Sequence, residues 1–244
     1  MGRDVGEAAV KPLAIDLFAG LGGWTDGLLA EGWDVIGFDI EHHVYGDHRY
    51  PAQLVIQDVL TLHGSQFRNA ALIVASPPCQ AYSYRAMPWK RAKALPPPDN
   101  SLFQACFRIQ REACAAAGRH IPLIVENVRG AQKWVGRARW NFGSFYLWGD
   151  VPALMPVAVG TKNTGGSWFS IAHNTTSGKG QNPDGRKTNG APHIRDGESY
   201  TRHPARKAAS AMIAKIPLPL SRYIAKIFFP LQSLQSPTPA EDRT

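Results

Sequence analysis

The stretch that most constrains this chain is an apolar run, a glycine-rich turn and a second apolar run that ends in a carboxylate. Leu13–Phe18 reads as a strand. It meets Ala19-Gly20-Leu21-Gly22-Gly23-Trp24, continues as a helix to about Ala30, and returns as Gly32–Asp39, a second strand. A strand, a helix and a strand in direct succession bring the strands side by side and parallel. Glycines between strand and helix permit a tight turn and let a ligand approach the backbone at the helix N-terminus. Asp39 comes about twenty residues after the turn, the spacing at which an acidic side chain meets the ribose of a nucleotide-like cofactor. The glycine turn alone is shared with dehydrogenases and with turns that hold nothing; the spaced acid narrows the reading to an adenosine-bearing cofactor.

Further strands are read at Leu54–Val59, which passes Asp58, at Leu72–Ala75, and at Ile121–Val125. Leu72–Ala75 stops at Pro77-Pro78. These prolines cannot extend a ladder and they stiffen the next residues, so Cys79 sits on a rigid loop at a strand's carboxyl end. Open α/β sheets bind ligands there. A cysteine in such a place is a nucleophile or a small buried hydrophobe. Ile121–Val125 runs into Glu126-Asn127-Val128. A carboxylate at the end of a buried strand needs hydrogen bonds or a raised pKa, which makes Glu126 either a working group or the cap of the next helix.

Between these lies a basic, proline-broken loop from Tyr84 to Pro98, with Arg85, Lys90, Arg91 and Lys93 beside Tyr84 and Trp89. Bases interleaved with aromatics suit a nucleic-acid strand, or an ordinary solvated loop. Ser101–Ala117 is helical, with Leu102, Phe103, Cys106 and Ile109 on one face. Trp140–Trp148 reads as strand. From Pro156 to Lys215 the chain carries nine bases against three acids, and 156–200 is rich in Gly, Asn, Thr and Ser. Ala205–Ile216 and Leu220–Phe229 read as helices that return to the sheet, and Leu231–Thr244 as a polar tail.

The net charge of +8 over 244 residues favours a polyanionic partner. Three cysteines without histidine at ligand spacing point away from structural zinc and toward a reducing compartment. No run has the apolar length of a membrane span, and Met1-Gly2-Arg3-Asp4 does not open a signal peptide.

With these loops in view, the chain resembles the cytosine-5 DNA methyltransferases, and in its compressions their small phage- or prophage-borne members. Asp16-Leu17-Phe18-Ala19-Gly20-Leu21-Gly22-Gly23 matches the family's cofactor motif, Pro77-Pro78-Cys79-Gln80-Ala81-Tyr82-Ser83 its nucleophile motif, and Glu126-Asn127-Val128 its acid motif. The match covers roughly residues 13–132, with weaker agreement at 137–139 and 202–217. Gly136–Trp140 matches the family's basic catalytic motif in part, and Ile216-Pro217-Leu218-Pro219-Leu220 stands where a Gly-Asn motif is usual. Arg202–Arg206 is similar to the arginine-proline motif that organises target recognition.

The resemblance implies a Rossmann-like α/β fold of the S-adenosylmethionine-dependent methyltransferases with a small target-recognition insertion. It implies a catalytic domain over 1–150, a basic recognition region over 151–200, returning helices over 201–230 and a flexible tail over 231–244. It implies S-adenosylmethionine as methyl donor, with Phe18, Gly20, Gly22, Gly23, Asp39, Ile40, Asp58, Val59, Pro78 and Leu102 around it and Glu41 as a rival to Asp39. Cys79 would be the nucleophile, Glu126 the acid, Asn127 the loop's anchor, and Arg137 or Arg139 the base-contacting arginine. Gln80, Ser83, Arg85, Lys179, Arg186 and Lys187 would touch DNA. The expected partner is double-stranded DNA, met by a monomer without metal or membrane in the cytoplasm of a prokaryotic or phage-infected cell, with restriction-modification as the setting. A tRNA cytosine-5 methyltransferase and a non-catalytic DNA-binding protein on the same fold are the competing readings. A nicotinamide dehydrogenase would explain the glycine turn but not Pro-Cys-Gln.

Overall fold

The structure, a computed structural model, describes residues 10–83, 96–156 and 204–230. Seven strands form one sheet in the order β3-β2-β1-β4-β5-β7-β6. They are β1 Leu13–Leu17, β2 Asp34–Asp39, β3 Gln53–Ile56, β4 Leu72–Ala75, β5 Leu123–Asn127, β6 Trp140–Phe142 and β7 Phe145–Gly149. The first five in spatial order run parallel, β7 is antiparallel to β5, and β6 is antiparallel to β7. The helices are α1 Gly23–Ala30, α2 Ser101–Ala117, the single turn α3 Gln132–Val135, α4 Pro204–Ala214 and α5 Leu218–Ile227. This is the Rossmann-like α/β architecture, with its strand order reversing between β1 and β4.

Alternating residues of the central strands fill two cores. Ile15, Leu17, Ile73, Leu123 and Val125 pack with Phe103, Cys106 and Ile109 of α2 on one face. Ala14, Val35, Val74 and Ile124 pack on the other with Trp24 and Leu28 of α1 and Leu220 and Ile224 of α5. Burial on both faces is why these strands read as unbroken apolar runs. α1 and α5 touch closely at a glycine: a Cβ on Gly27 would lie 2.3 Å from the Ser221 hydroxyl oxygen.

Several boundaries differ from the sequence reading. The third strand ends at Ile56, because Asp58 leaves the ladder and accepts from the Leu60 amide at 2.9 Å, capping a 3-10 turn. Trp140–Trp148 is a hairpin, turned at Gly143 (φ 60°) and Ser144, rather than one strand. The fifth strand includes Glu126 and Asn127, which are buried within it rather than beyond it.

Candidate active site

Five strand ends converge on a cavity of ≈ 400 Å³ outside their carboxyl edge, at the point where the strand order reverses. That is the expected ligand position for an open α/β sheet, and the volume lies within the usual range for small-molecule sites.

The turn after β1 supplies Phe18, Ala19, Gly20, Leu21 and Gly23 to the cavity wall. Phe18 has φ 60°, the one non-glycine residue with positive φ among the described residues. A bulky side chain held in the left-handed region stores on the order of 1–2 kcal/mol of strain, which the surrounding structure offsets. Gly20 comes next but one at φ 52°, and its amide donates to Asp39 Oδ2 at 2.8 Å. A Cβ on Gly23 would lie 2.3 Å from the Ile216 amide nitrogen, so only glycine lets the segment after α4 close this side. Gly22, expected beside the cofactor, does not line the cavity. It caps α1 at φ 72°, and its Cβ position is filled by Pro51 at 2.4 Å.

After β2, Asp39, Ile40, Glu41 and His43 reach the cavity. Asp39 Oδ1 accepts from the Ile40 amide at 2.7 Å, the Glu41 amide at 3.3 Å and His43 Nε2 at 3.3 Å. Burial pushes its carboxyl up, but the His43 and Gly20 donors outweigh that and hold it below the usual aspartate range. The same bond raises His43, against burial. Oδ2 takes one donor among the described residues and so keeps room for a ligand hydroxyl. Ile40 is exposed, and Asp58 and Val59 line the wall after β3.

After β4, Ser76, Pro78, Cys79 and Gln80 line the cavity, with Leu102 from α2. Ser76 Oγ accepts from Trp24 Nε1 at 2.9 Å, fixing α1 against the loop. The Cys79 carbonyl accepts from the Tyr82 and Ser83 amides at 2.9 and 3.0 Å, which closes the turn. Tyr82 is buried, and its hydroxyl donates to Asn100 Oδ1 at 2.8 Å. After β5, Glu126 enters the same cavity. Asn127 does not; its Nδ2 donates to the Pro77 carbonyl at 2.9 Å. Ser83 also lies off the wall.

Arg137 and Arg139 are exposed beside β6 and do not line the cavity. With Arg129 and Lys133, also exposed, they give a basic stretch without an acid from Asn127 to Gly149. Arg85, Lys179, Arg186 and Lys187 lie outside the described residues, as does most of 151–200. Sequence reasoning missed Trp24, His43, Ser76, Ala211, Ala214, Lys215 and Ile216 on the wall. One sequence signal points to that last segment: Ile216 stands where the family's Gly-Asn motif is missing. Among the described residues no helix is long and apolar enough to cross a membrane, and no cluster of His, Cys, Asp or Glu could hold a metal.

The family model for C-5 cytosine-specific DNA methylases matches residues 13–136, half of the chain. The chain belongs to the C-5 cytosine-specific DNA methylase family. The matched span carries the Phe18–Gly23 turn, Asp39, Cys79 and Glu126. Among solved structures, a prophage-encoded E. coli protein described as a putative DNA modification methyltransferase is 25% identical, over 52% of this chain and 35% of its own, with a TM-score of 0.35. The Dnmt2 methyltransferase of S. pombe is 17% identical over 52% and 37%, with a TM-score of 0.35. The Entamoeba histolytica methyltransferase EhMeth is 16% identical over 52% and 41%, with a TM-score of 0.33. The chain thus spans about 35–41% of the length of these structures. No curated protein matches it.

Proposed function

We propose that this methylase-family chain transfers a methyl group from S-adenosylmethionine to carbon 5 of cytosine in DNA, through a covalent bond from Cys79. One observation carries the reading: Cys79 and Glu126 line the same cavity as Gly20, Asp39 and Asp58. A nucleophile and an acid thus share a chamber with a ribose-type carboxylate and a glycine turn.

The residues present suit the cofactor. Asp39 retains acceptor capacity at Oδ2 for a ribose hydroxyl, with Glu41 beside it for the second. Ile40 offers an apolar surface for a purine face, and Asp58 an acceptor for its amino group. When bound, the sulfonium supplies an electrophilic methyl group.

Carbon 5 of cytosine is a poor nucleophile within an aromatic ring. Addition of the Cys79 thiolate to carbon 6 forms a C–S bond, breaks the aromaticity and places an enamine at carbon 5. Glu126, as the acid, hydrogen-bonds or protonates ring nitrogen 3 and takes up the charge that addition creates there. Asn127 holds the Pro77 carbonyl and so the loop of the nucleophile. After transfer, a base removes the carbon 5 proton and the C–S bond breaks, restoring the ring. The target atoms lie inside a stacked duplex, so the base is extruded into the cavity. Gln80, on the cavity wall, would meet the entering base, and Ser83, off the wall, the DNA beside it. Exposed Arg129, Lys133, Arg137 and Arg139 favour phosphate contacts, with either Arg137 or Arg139 near the base.

The test is a stable adduct with duplex DNA containing 5-fluorocytosine in the presence of S-adenosylmethionine. Fluorine at carbon 5 blocks the final elimination and traps the enzyme. The adduct should form with the parent and not with Cys79→Ser. An adduct that forms on tRNA and not on DNA moves the substrate to RNA. Cys79→Ser that methylates at the parent's rate removes Cys79 from the chemistry.

A further inference from the structure

Among the described residues, the wall of the cavity carries four carboxylates, Asp39, Glu41, Asp58 and Glu126, and a single lysine, Lys215. The lysine comes from the far end of the chain, one residue past α4. Its Nζ pairs with Asp26 Oδ2 at 2.6 Å, in the first turn of α1, and its side chain is 25% exposed. The next residue, Ile216, fills the space over Gly23. Lys215 therefore stands beside the glycine turn and the α1 N-terminus. An ammonium has three donors, and Asp26 takes one direction.

A zwitterionic nucleoside entering this chamber has one group that the acidic walls repel, its carboxylate. Between Asp39 and Asp58 that group would face like charge in a confined site. At Lys215 it meets a cation and the amides of a helix start. We infer that Lys215 binds the carboxylate of the amino-acid portion of the cofactor and so sets which end of the cavity that portion occupies. This rests on the proposed use of S-adenosylmethionine. Asp26 positions the ammonium, and Lys215 directly precedes the segment that stands in place of the Gly-Asn motif.

Calorimetric titration with two nucleosides tests this. S-adenosylhomocysteine has the amino-acid portion, and 5′-methylthioadenosine lacks it. Lys215→Met should weaken S-adenosylhomocysteine by about 10- to 100-fold, the loss of one charged hydrogen bond. It should leave 5′-methylthioadenosine within about twofold of the parent. Lys215→Arg should keep most of the S-adenosylhomocysteine affinity. Asp26→Asn breaks the same ion pair but keeps the ammonium, and should weaken S-adenosylhomocysteine less than Lys215→Met does, with 5′-methylthioadenosine unchanged. An equal loss for both nucleosides in Lys215→Met, or no loss for S-adenosylhomocysteine, overturns the inference while the cofactor reading stands. A parent that binds neither nucleoside overturns the cofactor reading and this inference with it.

Discussion

Asn127 Nδ2 donates to the carbonyl oxygen of Pro77 at 2.9 Å, from the last residue of β5 to the first proline after β4. Both residues are buried, so the bond is shielded from water and its loss leaves a carbonyl without compensation. Asn127→Asp replaces the donor with an acceptor of nearly the same shape. It should destabilise the fold by about 1–3 kcal/mol. It should also slow adduct formation with 5-fluorocytosine DNA while S-adenosylhomocysteine affinity holds. Denaturant midpoints and the trapping rate check the two halves separately.

A second tether holds the other side of the same turn. Tyr82 donates to Asn100 Oδ1 at 2.8 Å, and a Cβ on Gly130 would lie 2.3 Å from the Tyr82 carbonyl oxygen. Tyr82→Phe removes one hydroxyl and leaves the ring's packing intact. The expected cost is about 1 kcal/mol of stability and a slower trapping rate, with cofactor affinity unchanged. Equal trapping rates in variant and parent would show that the Tyr82 hydroxyl does not position Cys79.

A buried carboxyl and a half-buried imidazole both make stability fall as pH rises. Asp16 lies within β1, its Oδ2 accepts from Thr25 Oγ1 at 2.6 Å, and its Oδ1 has no partner among the described residues. Burial pushes its carboxyl up to about 8. A raised pKa favours the folded state while the group keeps its proton. Its contribution to stability is therefore full below about 4, falls as the unfolded chain ionises, and levels off above about 8. Asp16→Asn should flatten that decline. His43, raised by Asp39, contributes below about 6.5 and loses its contribution as pH rises through its folded value. His43→Gln should flatten only the upper part of the curve. Chemical denaturation at pH 5, 7 and 9 distinguishes the two; parallel curves for Asp16→Asn and parent would refute the buried-acid account.

The basic residues between Pro156 and Lys215 predict salt-dependent binding to nucleic acid. Lys179→Ala, Arg186→Ala and Lys187→Ala combined should lower the slope of log affinity against log salt by about 0.9 for each duplex phosphate that is no longer neutralised. Cofactor affinity should stay constant. An unchanged slope in filter binding over a salt series would move the contacts to Arg129, Lys133, Arg137 and Arg139.

What the sequence made legible was local. Phe18–Gly23, Asp39, Cys79 and Glu126 could be found because strand, turn and acid succeed one another along the chain, and strand ends in a parallel sheet share an edge. Asp58 showed itself, but not the capping bond that ends β3 two residues before it, because a side-chain acceptor outcompetes a ladder only where the geometry allows. Gly22 looks like Gly20 and Gly23 in a motif, and only the position of Pro51 shows that it faces the other way. Lys215 gave least warning. Its meaning depends on Asp26 and on the acidic walls, which are supplied by residues far away in sequence.

The contact between Gly23 and Ile216 makes the cavity a joint between the start and the far end of the chain. One wall is built by the turns after the parallel strands; the other comes from α4 and the residues just after it, next to α5, which packs on α1. Closing so long a loop carries an entropic cost that grows slowly with its length. A ligand touching both walls binds only the closed arrangement and shifts the balance toward it by mass action. Occupancy of the cavity is then a report on whether the molecule has finished assembling, as well as a step toward chemistry.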